Sequence, residues 1–160
     1  LVLWHGLYLE AQMEDFFHSL ARKREVVAVA EAMPKDLLRG HDDYADKYDP
    51  HVWMSPELWK HVVSEVARAL TEARPASADL FAANLARHLG ELDRLSEYGR
   101  EVVAGVPDSN RVLVTAHDAF GYFAKRYGLT FEAPQGMSTE SEASAKDVAN
   151  LITQIRQNKV

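Results

Sequence analysis

Seven histidines, at positions 5, 18, 41, 51, 61, 88 and 117, and no cysteine confine any first-row metal chemistry in this chain to imidazole and carboxylate ligands. Two of these histidines stand where a ligand could be held. His51 lies in "YDPHVWMSPELW", directly after Pro50, whose ring fixes φ. A side chain on such a stiffened loop has little entropy left to lose on binding. His117 ends the apolar run "VLVTA" and directly precedes a helix start. In open parallel α/β sheets, ligands gather at the carboxyl ends of strands. Neutral imidazole is the commonest nitrogen ligand for zinc and similar ions. From position alone, each of the two is either a metal ligand or a satisfied core or capping histidine.

The other histidines have blander settings. His18, His61 and His88 fall among charged residues on helical stretches, where polar positions face solvent. His41 lies in the acidic loop "GHDDYADKYD", and His5 precedes Gly6 at the end of a strand, where it could face a crevice. Other chemistries fare worse. No GxSxG, GxxxxGK[ST] or HExxH motif occurs, which removes the nucleophile elbow, the phosphate-cradling loop and the zincin helix. Glu140 and Glu142 are paired carboxylates on a polar loop, available as a general base or simply solvated. The aromatic set Trp53, Trp59, Phe120, Tyr122, Phe123 and Tyr127 reads as packing.

These side chains need elements to position them. "LVLW" (1–4), "VVAVA" (26–30) and "RVLVTA" (111–116) read as buried strands, and "LTFEA" as a shorter one. Leu9, Met13, Phe16, Phe17 and Leu20 predict an amphipathic helix over 8–21, so the first unit is βαβ with a parallel sheet. Residues 33–50 read as a surface loop. Ser55 followed by Pro56 predicts a capped helix start, with the helix running to about 73. From Pro75 to Pro107, Phe81, Leu85, Leu89, Leu92, Leu95 and Val102 recur at helical spacing, although Gly90 and Gly99 weaken the run. A helix of about 30 residues would be roughly 45 Å long. Asp118 is expected to cap a helix ending at Gly128, and Ser144 with Asp147 forms a capping-box signature for a last helix over 145–158. The fold class is therefore α/β: two parallel-sheet α/β lobes, 1–74 and 107–160, bridged by one long rigid helix within 75–106.

Composition removes several function classes. The net charge is −6 with no block of Lys or Arg, which argues against nucleic acid. No run approaches the ~20 apolar residues that span a bilayer. The chain opens in a strand without Met or a signal segment and stops as a helix gives way, so it reads as a fragment, truncated in its C-terminal lobe, with any export signal outside it.

Four stretches together, "LWHGLYLEAQM", "YDPHVWMSPELW", "VLVTAHDAFGYFAKRYGL" and "QGMSTESEASAKDVANLI", resemble the zinc/manganese solute-binding proteins of bacterial ABC importers, the TroA/ZnuA-like group. The resemblance spans nearly the whole chain, in order and spacing. It implies two α/β lobes bridged by a long helix, with metal between the lobes held by three histidines and an acidic residue. It implies His51 as the ligand from the N-terminal lobe and His117 as the ligand from the C-terminal lobe. It places the first ligand histidine upstream and the closing aspartate downstream of this chain, and it places asparagine at the position of His5 in many relatives. The implied function is capture of Zn²⁺ or Mn²⁺ outside the cytoplasmic membrane and delivery to an ABC transporter permease, without catalysis. The implied protein is a monomer in the periplasm or a cell-surface lipoprotein, with cell adhesion as a further role. Bound through neutral imidazoles, metal should be lost as pH drops below about 6.5. The alternative is a zinc-dependent hydrolase that uses the same histidines, with Glu140 or Glu142 as base.

Overall fold

The computed structural model describes residues 1–40, 45–137 and 144–158. The chain runs β1 (Val2–Trp4), α1 (Glu14–Ala21), β2 (Val26–Ala28), α2 (Pro56–Ala73), α3 (Ala78–Ala104), β3 (Val112–Val114), α4 (Gly121–Tyr127), β4 (Thr130–Glu132) and α5 (Ala145–Asn158). β1 pairs with β2 in parallel, Val2 opposite Val26, and β3 pairs with β4 in parallel, Val112 opposite Thr130. Two parallel pairs separated by a long helix is the α/β architecture expected. The strands are mostly half-buried rather than buried, with Trp4 the exception. Each has one strand partner among the described residues, so part of its surface stays open.

The first helix starts later than its apolar spacing predicts. Gly6, Leu7 and Tyr8 all take positive φ, at 83°, 51° and 69°. The Glu10 carboxylate accepts the N–H groups of His5 (2.9 Å) and Gly6 (3.1 Å), which pins this left-handed turn. A 3-10 turn, Ala11–Met13, follows before α1 begins. Leu9, Met13 and Phe16 remain exposed, whereas Phe17 stacks on Trp4 with ring centroids 4.6 Å apart. That contact fixes α1 on the sheet. The core gathers Leu7, Val29, Ala30, Met33, Val52 and Val62, and Tyr122 joins it from α4.

α2 begins at Pro56 as expected, but the Ser55 side chain makes no capping bond. Ser55 is extended and buried, and its carbonyl accepts the Trp59 N–H at 2.9 Å. Proline at the first helical position leaves one fewer donor to cap. α3 spans 27 residues, about 40 Å at 1.5 Å per residue. Its buried residues are Leu92, Ser96 and Val103, while Leu95 and Val102 are exposed, contrary to the spacing argument. Positions 92, 96, 99 and 103 form one stripe at helical period, and 95 and 102 turn away from it.

α4 rests on that stripe. Arg126 donates to Ser96 Oγ (2.7 Å) and to Glu57 (3.3 Å), linking α4 to α3 and α2. A Cβ at Gly99 would stand 2.4 Å from the Tyr127 hydroxyl, whereas at Gly90 the nearest neighbour is the Arg94 guanidinium at 3.8 Å. The two glycines thus differ in kind. Gly99→Ala is expected to lower stability by about 1 kcal/mol, overpacking outweighing the helix-propensity gain, while Gly90→Ala should raise it by about 1 kcal/mol. Urea melts of both variants check this; equal shifts of one sign would refute the packing argument. Gly128 ends α4 in the left-handed conformation, φ 70°, as expected. Asp118, expected to cap α4, is ion-paired to Arg39, and the helix begins later, at Gly121. α5 carries its expected box: Asp147 accepts the Ser144 N–H at 3.2 Å, and Ser144 Oγ accepts the Asp147 N–H at 3.2 Å.

Candidate metal centre

Both parallel sheets extend their hydrogen bonding to a histidine beyond the first strand. The Val29 and Ala30 N–H groups donate to the Trp4 and His5 carbonyls, each at 2.9 Å. In the second sheet Thr115 N–H donates to the Glu132 carbonyl at 3.1 Å, and His117 bridges in parallel to Gln135. His5 directly follows β1, and His117 lies three residues beyond the end of β3. Thr115 Oγ1 donates to the His117 carbonyl at 2.7 Å and fixes the turn that follows β3.

His51 is placed by its loop. The backbone after Pro50 makes a 3-10 turn, Val52–Met54, that leads into α2. His51 is buried, and its backbone N–H donates to Asp49 Oδ1 at 2.9 Å. The same oxygen lies 2.7 Å from His51 Nδ1. A carboxylate only accepts, so the proton sits on Nδ1 and the Nε2 lone pair is available to a ligand. Histidines that ligate metals generally use the second ring nitrogen in this way. Asp49 itself is fully buried and also accepts from Arg39 NH1 at 2.9 Å. Sequence reasoning missed both partners; the "DPH" spacing, with an acid two residues before the histidine, was the available signal for Asp49.

The rings of His51 and His117 meet, with centroids 5.6 Å apart and planes at 59°. His51 comes from the loop before α2 and His117 from the turn after β3, distant parts of the chain. Among the described residues no cluster of three or more His, Asp or Glu could hold a metal ion, so these two are a pair and not a closed set. His5 sits close by. Its ring lies 5.3 Å from Trp53, which in turn lies 5.2 Å from His51. His5 Nε2 is 2.8 Å from the Pro50 carbonyl, which can only accept, so His5 donates from Nε2 and steadies the loop that carries His51. His18 and His61 are exposed, and His88 pairs with Glu91 on α3. His41, Glu140 and Glu142 lie outside the described residues.

Burial holds His5 below the usual histidine range, offset in part by its bond to the Pro50 carbonyl and by Glu10. The fold thus prefers neutral His5, while the unfolded chain titrates near about 6.5. Below that value the unfolded state takes up more protons, so this contribution is complete above pH 6.5 and lost as pH falls towards the folded value. His5→Gln should therefore flatten the fall of Tm between pH 7 and 5 in metal-free buffer. Parallel slopes in parent and variant would show that His5 does not carry that dependence. Tyr122 behaves oppositely: burial pushes its phenol up to about 12, so it stays a donor. It donates to the Asp49 carbonyl and accepts from Arg39 N–H, both at 3.0 Å.

Over residues 1–160 the chain matches the family described as ZnuA, zinc-uptake complex component A, periplasmic. The chain belongs to this family. Among ZnuA-family relatives, the manganese-binding lipoprotein MntA of Bacillus subtilis (strain 168) is 38% identical over 160 residues, covering 100% of this chain and 52% of that protein. The iron-binding protein YfeA of Yersinia pestis is 31% identical over 160 residues, covering 100% of this chain and 51% of that protein. The solved structure of the periplasmic zinc-binding protein TroA from Treponema pallidum superposes with a TM-score of 0.94 at 39% identity, over 99% of this chain and 56% of that one. The chain spans about half the length of the curated relatives it matches. The superposition takes in both parallel sheets and the long helix between them.

Proposed function

We propose that this protein captures Zn²⁺ or Mn²⁺ outside the cytoplasmic membrane, in the periplasm or as a surface lipoprotein, and hands it to an ABC transporter permease. In this reading it acts as a monomer and catalyses nothing. Residues 1–74 and 107–160 act as two α/β parts with 75–106 as the linking helix, and His51 and His117 contribute one ligand each from either side. The observation that carries it is the approach of the two rings to 5.6 Å, with His51 Nδ1 already committed to Asp49. The relatives' names, which include manganese, zinc and iron binding, support cargo of this class. The hydrolase alternative finds no support among them.

Calorimetric titration of Zn²⁺ and Mn²⁺ into the full-length protein that carries this segment tests the reading. One saturable site per monomer is expected. A folded protein that takes up neither ion would overturn the reading.

A further inference from the structure

We propose that Arg39 is a positioning residue that holds the His51 loop and the His117 turn in one register, with Gly121 as the gap that admits its guanidinium. The inference rests on the metal-binding reading of the two histidines and adds a residue on which that reading is silent.

Arg39 NH1 donates to Asp49 Oδ2 at 2.9 Å and to Asp118 Oδ1 at 3.3 Å, and NH2 donates to Asp118 Oδ2 at 3.2 Å. One fork thus grips two carboxylates. The first, Asp49, holds the His51 ring and backbone through its other oxygen. The second, Asp118, is the immediate neighbour of His117, and its own N–H is tied to the Gln135 carbonyl at 2.9 Å. A single acid separates Arg39 from each histidine. The main chain repeats the link: the Arg39 carbonyl accepts the Asp49 N–H at 2.9 Å, and its N–H donates to the Tyr122 hydroxyl, which donates onward to the Asp49 carbonyl.

Gly121 supplies the room. A Cβ there would stand 1.1 Å from Arg39 NH1 and 2.0 Å from Cζ, so no other residue fits while the guanidinium keeps its place. Its φ is not in the left-handed region, so space and not backbone conformation calls for glycine. The fork also matters chemically. A guanidinium is planar and presents donors at fixed angles, so two carboxylates bound to it are held at a set separation, whereas an ammonium is a point charge that fixes none. If Arg39 merely neutralised buried Asp49, lysine would serve as well; if it sets geometry, lysine fails.

The test uses the full-length protein. Zn²⁺ affinity by chelator competition and the visible absorption spectrum of bound Co²⁺, which reports ligand geometry, are measured for parent, His51→Ala, His117→Ala, Arg39→Lys, Arg39→Ala, Gly121→Ala and the Arg39→Ala/Gly121→Ala double variant. Arg39→Lys and Gly121→Ala are each expected to weaken Zn²⁺ binding by roughly 10–100-fold, the range for groups that orient metal ligands, and to alter the Co²⁺ bands. In the Arg39→Ala background, Gly121→Ala should add nothing, because its effect runs through the guanidinium. Should Arg39→Ala fail to fold, Arg39→Lys and Gly121→Ala carry the test. Unchanged affinity and spectrum in folded Arg39→Lys, or full additivity in the double variant, overturns the clamp alone when the histidine variants still lose binding. A parent that binds no metal overturns the metal reading and the clamp together.

Discussion

His51→Ala and His117→Ala are each expected to weaken Zn²⁺ and Mn²⁺ binding by more than the ~10–100-fold that loss of an orienting partner costs. Each removes one nitrogen from a pair whose rings approach to 5.6 Å. A metal left with fewer protein ligands must recruit water instead, and the loss should be similar in the two variants if both serve one ion. The structural cost should differ. His51 is buried and fills the loop before α2, whereas His117 is half-buried at a strand end. Calorimetric titrations of folded variants give the affinities, and thermal melts without metal give the stabilities. Loss of binding in one variant and none in the other would mean that the rings meet without sharing a cargo.

Asp49→Ala is expected to cost about 3 kcal/mol of stability, the lower end of the range for breaking a buried ion pair. The carboxylate is fully buried and takes three donors: Arg39 NH1, the His51 N–H and His51 Nδ1. Its removal strands two His51 donors in the interior. Arg39 keeps Asp118 and is partly exposed, which moderates the loss. Asp49→Asn should fall in between, because an amide cannot accept from the guanidinium on its nitrogen side. Urea unfolding with unchanged m-values measures the difference. A loss below about 0.5 kcal/mol for Asp49→Ala, the usual range for surface substitutions, would contradict the burial argument.

The elements were legible wherever local chemistry marks them. Proline at 56, glycine at 128 and the Ser144–Asp147 pair begin or end helices at the positions their backbone preferences require. The βαβ alternation called for parallel pairing, and the long proline-free run called for α3. His51 and His117 were legible as candidates because each follows a stiffened loop or ends a strand. These signals act over a few residues, so a linear chain carries them openly.

Contacts between distant residues were not legible. Asp118 reads as a helix cap from its neighbours, yet it pairs with Arg39 because two loops converge there. Gly90 and Gly99 are alike in sequence, and only the arrival of Tyr127 separates them. Leu95 and Val102 fit the helical period but miss the stripe that α4 covers. Which nitrogen of His51 carries the proton depends on how its loop turns back onto Asp49, and whether its ring meets that of His117 depends on how that loop meets the turn after β3. Ion pairing and steric fit fall off within a few ångströms, so they are decided by which loops become neighbours in space, and no spacing rule along the chain encodes that.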